Sequence, residues 1–301
     1  MSFNFLRRKF FNLFAIYKLH PVVYEQYISE ITVTATSKLG TFDISDNFGL
    51  VGLKPLVLAF SESERNMADL EFIQIRWDSK PISKLFLISF YQKIPGFALY
   101  KISDSENFIR NLLQTKLDFL ALEMREVFRE KIGFSMKPKQ IRHLFNFCLC
   151  PRKVFLISCH GSESTNTFPL DVVGIYPNGT VLFSVRKSNK MNPGIQMHGE
   201  VLLSNCPSHE VDRIYNLGKN YNQNGKPLEK VNYLKYNEIA YPDFAFDIHI
   251  IQIHSTYEVG EHLCYLGNLK NTTNQKNETH LAHVPWFWRG KPQITSDPQN
   301  R

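Results

Sequence analysis

Alternating apolar and polar positions predict β-strands over most of the chain. In the first third, runs rich in β-branched and aromatic residues predict strands at 27–36, 56–60, 72–77 and 84–90. After residue 150, similar runs predict five more strands, at 153–158, 180–185, 200–205, 246–253 and 262–269. Short, closely spaced strands with few helices are typical of a small antiparallel barrel. We therefore predict a mainly β fold with some helix (α+β).

Apolar residues at helical spacing predict one long helix over residues 104–132. Ser103 and Glu106 match a capping box, in which each side chain satisfies a free backbone N–H at the helix start. Gly133 is a typical stop signal at the other end. Two shorter helices are also predicted, one after Ser188–Asn189 and one from Ser208 to Gly218.

The long helix would connect a strand-rich N-terminal region, residues 1–150, whose function is not legible, to a second domain at residues 151–301. Residues 219–242 are polar and irregular, which predicts an insertion or a lid. The first 17 residues predict a basic amphipathic helix that docks on the fold or on a partner, with contact to a membrane surface as the alternative. The tail from Gln293 is typical of a disordered segment.

Composition and charge exclude several classes of protein. The chain has 301 residues, 43% of them hydrophobic, which is enough for a sizeable core. Its 35 Lys and Arg against 28 Asp and Glu give a net charge of +7, and this excess is scattered along the chain. Scattered charge favours small anionic ligands, or no particular ligand, over nucleic acid. The longest apolar runs have the length of strands, so no transmembrane segment is predicted.

The five cysteines indicate reduced thiols. An odd number argues against a disulfide framework, and Cys159, Cys206 and Cys264 lie in apolar runs where a buried thiol is usual. We therefore expect a reducing compartment, most simply the cytoplasm.

The order of short motifs after residue 150 resembles the flavin-reductase-like family, the split β-barrel that binds FMN. The residues that carry the resemblance are those of 157–174, 181–185, 186–190, 199–205, 259–262, 266–269 and 284–290. Two departures stand out: Glu261 lies where the family prefers Asp, and Asn268 where it prefers Glu. The resemblance implies a split barrel in the C-terminal half, FMN as cofactor with FAD left open, NAD(P)H as reductant, and a homodimer with flavin near the interface.

A candidate phosphate site follows from the residues themselves. Arg186, Lys187 and Lys190 flank Ser188 and Asn189 where a helix is predicted to begin. Backbone N–H groups and the helix dipole attract an anion at such a position, and basic and hydroxyl side chains complete the cradle. The alternative is a solvated, charged cap on an ordinary helix.

Two further candidates depend on the resemblance. Thr165, Asn166, Thr167 and Phe168 would offer hydrogen bonds to the ribityl chain and pyrimidine edge of a flavin, the alternative being an ordinary turn. His262 lies where the nicotinamide would approach, so it is the candidate catalytic residue, positioning the reductant or buffering a proton. Its alternative is a half-buried strand histidine. The sequence offers no metal site, P-loop or dinucleotide fingerprint.

The sequence thus predicts a flavin-binding protein, an NAD(P)H-dependent flavin reductase-like oxidoreductase. Two alternatives stay open. One is a non-catalytic barrel that binds flavin or serves as a scaffold. The other is a flavin-dependent enzyme acting on an organic substrate, with residues 1–150 as the substrate cover.

Overall fold

A computed structural model describes residues 19–62, 69–109, 116–117, 120, 136–160, 165–220 and 231–285. Strands dominate these residues and form two large antiparallel sheets that curl into half-barrels. The predicted mainly β fold is confirmed. A small third sheet is built from β1 (Leu19–Val23), β19 (Leu281–Pro285) and β9 (Arg152–Lys153), in that spatial order.

The N-terminal sheet has seven strands in the spatial order β3-β2-β6-β7-β8-β5-β4. They are β2 (Ile31–Ser37), β3 (Gly40–Asp43), β4 (Phe48–Leu53), β5 (Leu56–Ser61), β6 (Leu70–Trp77), β7 (Lys80–Ile94) and β8 (Phe97–Asn107). The sequence of β2 shows why it folds this way: every second residue is buried, and the threonines between them are only partly covered. Asp78 and Ser79, both at positive φ, make the two-residue turn between β6 and β7.

The C-terminal sheet also has seven strands, in the order β11-β10-β14-β17-β18-β13-β12. They are β10 (Phe155–His160), β11 (Thr165–Leu170), β12 (Val173–Ile175), β13 (Thr180–Arg186), β14 (Glu200–Asn205), β17 (Phe246–Val259) and β18 (His262–Thr273). Register shifts between β17 and β18 mark irregularities of the kind that bend a sheet. A separate hairpin, β15 (Tyr233–Tyr236) and β16 (Ile239–Pro242), lies between β14 and β17 in the chain.

Four helices have both ends among the described residues. They are α1 (Glu25–Ile28), α2 (Pro138–Phe147), α3 (Asn192–His198) and α4 (Val211–Asn220), the last preceded by a 3-10 turn at Ser208–Glu210. Phe147 of α2 is buried in the core of the N-terminal sheet, and Met191 and Ile195, at and within α3, are buried in the core of the C-terminal sheet. Among the described helices, none is long and apolar enough to cross a membrane.

A separate buried cluster joins the two large sheets. The N-terminal sheet contributes Val51, Val57, Ala59, Ile94, Phe97 and Leu99, and the C-terminal part contributes Tyr176, Leu182, Val259, Cys264 and Leu266. Because these side chains bury one another, the two sheets share an apolar interface.

The structure corrects the predicted start of the long helix. Ser103 and Glu106 lie in β8, which continues to Asn107, and Glu106 lies opposite Lys84 of β7. Pairing with a long neighbouring strand therefore overrides the capping pattern. Residues 116–117 and 120 are helical, and the remainder of the predicted helix lies outside the described residues.

Other predictions also change. Residues 233–242, within the segment predicted to be irregular, form the β15–β16 hairpin, and α4 continues past Gly218 to Asn220. Helix α2 was not predicted at all. The N-terminal 17 residues and the tail from Gln293 lie outside the described residues. All five cysteines are free and buried, as expected from the sequence.

Candidate functional site

The candidate cradle after β13 is a rigidly fixed loop. The Nδ2 of Asn192 donates to the carbonyls of Arg186 and Lys187, at 2.8 and 3.1 Å. Its Oδ1 accepts a hydrogen bond of 2.9 Å from the hydroxyl of Tyr265, and Asn189 Oδ1 accepts one of 2.9 Å from the N–H of Met191. Asn192 and Tyr265 were missed in the sequence; the only signal was an Asn-Pro pair directly after the basic segment.

The fixed loop divides the five predicted cradle residues into two groups. Arg186, Lys187, Ser188 and Lys190 are exposed, whereas Asn189 is buried and its side chain accepts a hydrogen bond within the loop. The ammonium of Lys187 forms an ion pair with Glu258. Since α3 has only seven residues, the exposed side chains are the main source of positive potential here.

The predicted 165–168 group is a strand rather than a loop. These residues form part of β11, so their side chains alternate between the two faces of the sheet. Phe168 packs in the same core as Met191 and Ile195, and Asn166 Nδ2 lies 3.6 Å from Met191 Sδ. The structure therefore brings Asn166 to the end of the cradle loop, while Phe168 is buried in the core of the C-terminal sheet.

Thr167 lies on the other face. Its hydroxyl is 2.7 Å from that of Ser158 and 3.3 Å from the carbonyl of Ala240, under the β15–β16 hairpin. Thr165 lies two residues before Thr167, so it is on the same face of the strand, and it pairs with His160 of β10. The period of two along a strand thus separates Thr165 and Thr167 from the cradle.

His262 is next to the cradle but is not exposed. It pairs with Arg186 across β13 and β18, and only 2% of its surface is accessible. Burial lowers its pKa to about 4; the Arg186 guanidinium also lowers it, while Glu261 acts in the opposite direction. The imidazole is therefore neutral near pH 7.

The N-terminal sheet contacts the turn beside His262. The Lys54 ammonium lies 2.7 Å from the Glu261 carboxylate, and the Glu261 N–H donates to the Lys54 carbonyl at 3.1 Å. Ser184 of β13 donates a hydrogen bond to the carbonyl of Val51. Lys54 is thus a charged group from the first part of the chain at the edge of the candidate site, and the sequence did not point to it.

A second polar network lies away from the cradle. His283 Nδ1 is 3.0 Å from an oxygen of Asp171, which is also 3.0 Å from the Arg152 guanidinium. The hydroxyl of Tyr215 in α4 is 2.9 Å from His283 Nε2. Burial acts to raise the pKa of Asp171, but Arg152 and His283 outweigh it and hold this pKa well below its usual range. The network ties β9, β19 and α4 together.

Within the described residues, no group of three or more His, Cys, Asp or Glu side chains could hold a metal ion. The site therefore has to be understood from cationic, amide and hydroxyl groups.

Comparison with known proteins gives matches among solved structures alone; neither a family model nor a curated protein matches the chain. An NADH:FAD oxidoreductase, SgcE6, from Streptomyces globisporus C-1027 matches at 16% identity and a TM-score of 0.43, covering 52% of this chain and 94% of that one. An FMN-binding protein from Thermus thermophilus matches at 12% identity and a TM-score of 0.42, covering 55% of this chain and 93% of that one. The flavin reductase PheA2 matches at 14% identity and a TM-score of 0.41, covering 47% of this chain and 90% of that one.

These structures are of the flavin-reductase and FMN-binding kind that the sequence resembles, and each covers about half of the chain. At this level of identity and TM-score, they leave the chemistry of the site to be decided by this chain's own residues.

Proposed function

We propose that the chain binds a flavin nucleotide at the loop between β13 and α3. The observation that supports this most is the fixed backbone of residues 186–192, which holds Arg186, Ser188 and Lys190 exposed on one short segment. A guanidinium, a hydroxyl and an ammonium together suit a phosphate group, because each can donate a charge-assisted or neutral hydrogen bond to its oxygens.

Asn166 extends the candidate site beyond the phosphate. Its amide lies against Met191, at the end of the same loop, and an amide both donates and accepts hydrogen bonds. This fits the polar edge of a flavin ring or its ribityl chain. A bound flavin would supply the hydride acceptor, while the residues of this chain would hold and orient it.

Reduction by NAD(P)H is the finer part of the proposal. His262 is buried and neutral, so we assign it a packing role next to the cradle and not that of a proton donor. The same burial favours a second candidate function, a flavin-binding barrel without turnover. A flavin-dependent enzyme with an organic substrate is the third possibility, and the reduction assay below separates it from a reductase.

Titration with FMN and with FAD, followed by flavin fluorescence, tests the binding site. The double variant Ser188→Ala/Lys190→Ala removes two exposed groups whose contacts with a phosphate would together contribute about 1.4–2.8 kcal/mol, so we expect affinity to fall about tenfold to a hundredfold. Lys187→Ala is the matched control, since it removes an equal charge that is already paired with Glu258. We expect it to change affinity less than about threefold.

Four outcomes decide between the proposal and its alternatives. Equal losses in the double variant and in Lys187→Ala would mean that net charge alone matters and would remove the cradle. Absence of binding of either flavin to the unaltered protein would end every flavin hypothesis. Anaerobic bleaching of the flavin absorbance by NADH or NADPH would support a reductase, and binding without bleaching would favour the other two functions.

A further inference from the structure

We propose that the N-terminal sheet is a second copy of the C-terminal sheet, and that it serves as a built-in second subunit for the candidate site. The strand orders carry the first step. In chain order, the strands of the N-terminal sheet correspond to those of the C-terminal sheet as follows: β2 to β10, β3 to β11, β4 to β12, β5 to β13, β6 to β14, β7 to β17 and β8 to β18. With these correspondences, the spatial order β3-β2-β6-β7-β8-β5-β4 becomes β11-β10-β14-β17-β18-β13-β12, which is the order observed in the C-terminal sheet. All neighbours are antiparallel in both sheets.

The long central hairpins agree in detail. β7 and β8 have 15 and 11 residues and close with Ile94 opposite Phe97, while β17 and β18 have 14 and 12 and close with Val259 opposite His262. Both turns therefore contain two residues, and each includes a glycine at positive φ, Gly96 in the second position of its turn and Gly260 in the first. Phe97 and His262 occupy equivalent positions.

The edge hairpins of the two sheets are also similar in sequence over five residues. The chain reads Val-Gly-Leu-Lys-Pro at 51–55, where β4 turns into β5, and Val-Gly-Ile-Tyr-Pro at 173–177, where β12 turns towards β13. Lys54 and Tyr176 are therefore equivalent.

The contacts between the sheets are reciprocal. Lys54, at the edge turn of the N-terminal sheet, pairs with Glu261, in the central turn of the C-terminal sheet. Tyr176, at the edge turn of the C-terminal sheet, packs on Phe97, at the central turn of the N-terminal sheet, with ring centroids 4.7 Å apart. The two contacts join equivalent turns, although Phe97 is equivalent to His262 and not to its neighbour Glu261. An exchange of contacts between equivalent turns is what a twofold interface between like subunits requires.

The two copies differ where the cradle lies. Between β13 and β14 the chain carries the basic loop and α3, but between β5 and β6 it has only residues 62–69, whose sequence contains Glu62, Glu64 and Asp69 against a single Arg65. Phe97 also replaces His262. The N-terminal copy thus lacks an anion-binding sequence and contributes Lys54 to the rim of the other copy's site.

This pairing predicts a monomer with one flavin site, where the resemblance implied a homodimer. The duplication stands on topology and contacts alone; the stoichiometry and the role of Lys54 rest on the proposed function. Light scattering of the full chain over a range of concentrations should give about 35 kDa, the mass of one chain. A stable mass of twice this value would overturn the built-in subunit.

Carbodiimide coupling tests the interface without flavin. It should join Lys54 to Glu261 within the monomer band, identified by peptide mass spectrometry, because their charged groups lie 2.7 Å apart. Finding this link only in a dimer band would show that the contact forms between chains and would overturn the proposal. Lys235, which lies 3.6 Å from Glu238 three residues away, serves as a positive control for the chemistry.

Flavin binding is then measured separately. Lys54→Met should weaken FMN about threefold to tenfold while the mass stays that of a monomer. It leaves the half-exposed Glu261 carboxylate without its Lys54 partner beside the site, whereas Glu258, the partner of Lys187, is 74% exposed and better screened by solvent. Lys93→Met is the control, since it removes a surface ion pair with Glu62. An unchanged affinity in Lys54→Met would remove the contribution of the N-terminal copy to the site. If neither variant nor the unaltered chain binds flavin, the proposed function fails while the mass and the cross-link still decide the duplication.

Discussion

Replacing Gly260 by alanine tests the contact between the two sheets at its tightest point. Gly260 has φ of +57°, and a Cβ built on it would collide with the carbonyl oxygen of Lys54 and lie 2.6 Å from Pro55 Cδ. Backbone atoms of the neighbouring sheet, which cannot rotate away, therefore meet the new methyl group. Gly96 provides a matched control, since it has φ of +78° in the equivalent turn but no atom within 4 Å of a built Cβ.

The two substitutions share one cost and differ in another. A left-handed backbone costs a residue other than glycine about 1–2 kcal/mol, and this applies to both variants. Crowding of a packed contact adds about 1–3 kcal/mol, and this applies only to Gly260→Ala. We therefore expect Gly260→Ala to lower the free energy of unfolding by about 2–5 kcal/mol and Gly96→Ala by about 1–2 kcal/mol.

Urea unfolding followed by circular dichroism measures the difference, with the slope of the transition compared between variants. A difference of about 1 kcal/mol or more between the two variants supports the close approach of the sheets. Equal losses of stability would refute it, because the strained backbone alone would then account for both. A Gly260→Ala variant that gains stability would contradict both parts of the reasoning.

Three more substitutions test the site and the polar network. Tyr265→Phe removes the donor to Asn192 Oδ1 and leaves that oxygen buried without this hydrogen bond. The free energy of unfolding, measured with urea, should therefore fall by about 1–3 kcal/mol, and flavin affinity, measured by titration, should fall as well. Asp171→Asn should destabilise the protein at pH 7. The difference from the unaltered chain should narrow as pH falls below about 4, because a carboxyl with a depressed folded pKa stabilises the fold above its unfolded pKa and loses that stabilisation as pH falls towards the folded value. A difference that does not narrow in urea unfolding below about pH 4 would contradict the charge pairing with Arg152. His262→Phe should leave flavin affinity within about threefold. It should also remove the loss of stability that the unaltered chain shows as pH falls from 6.5 to 4, where the unfolded chain binds a proton at His262 and the folded chain does not. Abolished reduction with intact flavin binding would instead assign His262 to the reaction.

Much of the strand pattern could be predicted because one face of each strand is buried and the other is not. β14 begins and ends at Glu200 and Asn205, as predicted, and β18 begins at His262 as predicted. The long helix failed at its start because a capping pattern is local. The partner strand β7, which holds Glu106 in β8, is not visible from that pattern.

The candidate site was predictable only in part, for a similar reason. The basic run at 186–190 is contiguous, so composition alone revealed it. Whether each member is exposed depends on distant residues: Glu258 engages Lys187, and Asn192 fixes the loop. Lys54 could not be assigned to the site because the contact that brings it there spans more than two hundred residues of sequence.

The equivalence of Phe97 and His262 has a consequence for how this protein can change. In an assembly of two identical chains, every substitution appears on both sides of the axis, so an alteration that improves one binding site alters the other as well. Two copies encoded in one chain are free of this coupling. The C-terminal copy can keep the imidazole of His262 and the basic loop, while the N-terminal copy has the phenyl ring of Phe97 at the position of the imidazole. Flavin binding in one copy and structural support from the other can therefore change through separate mutations.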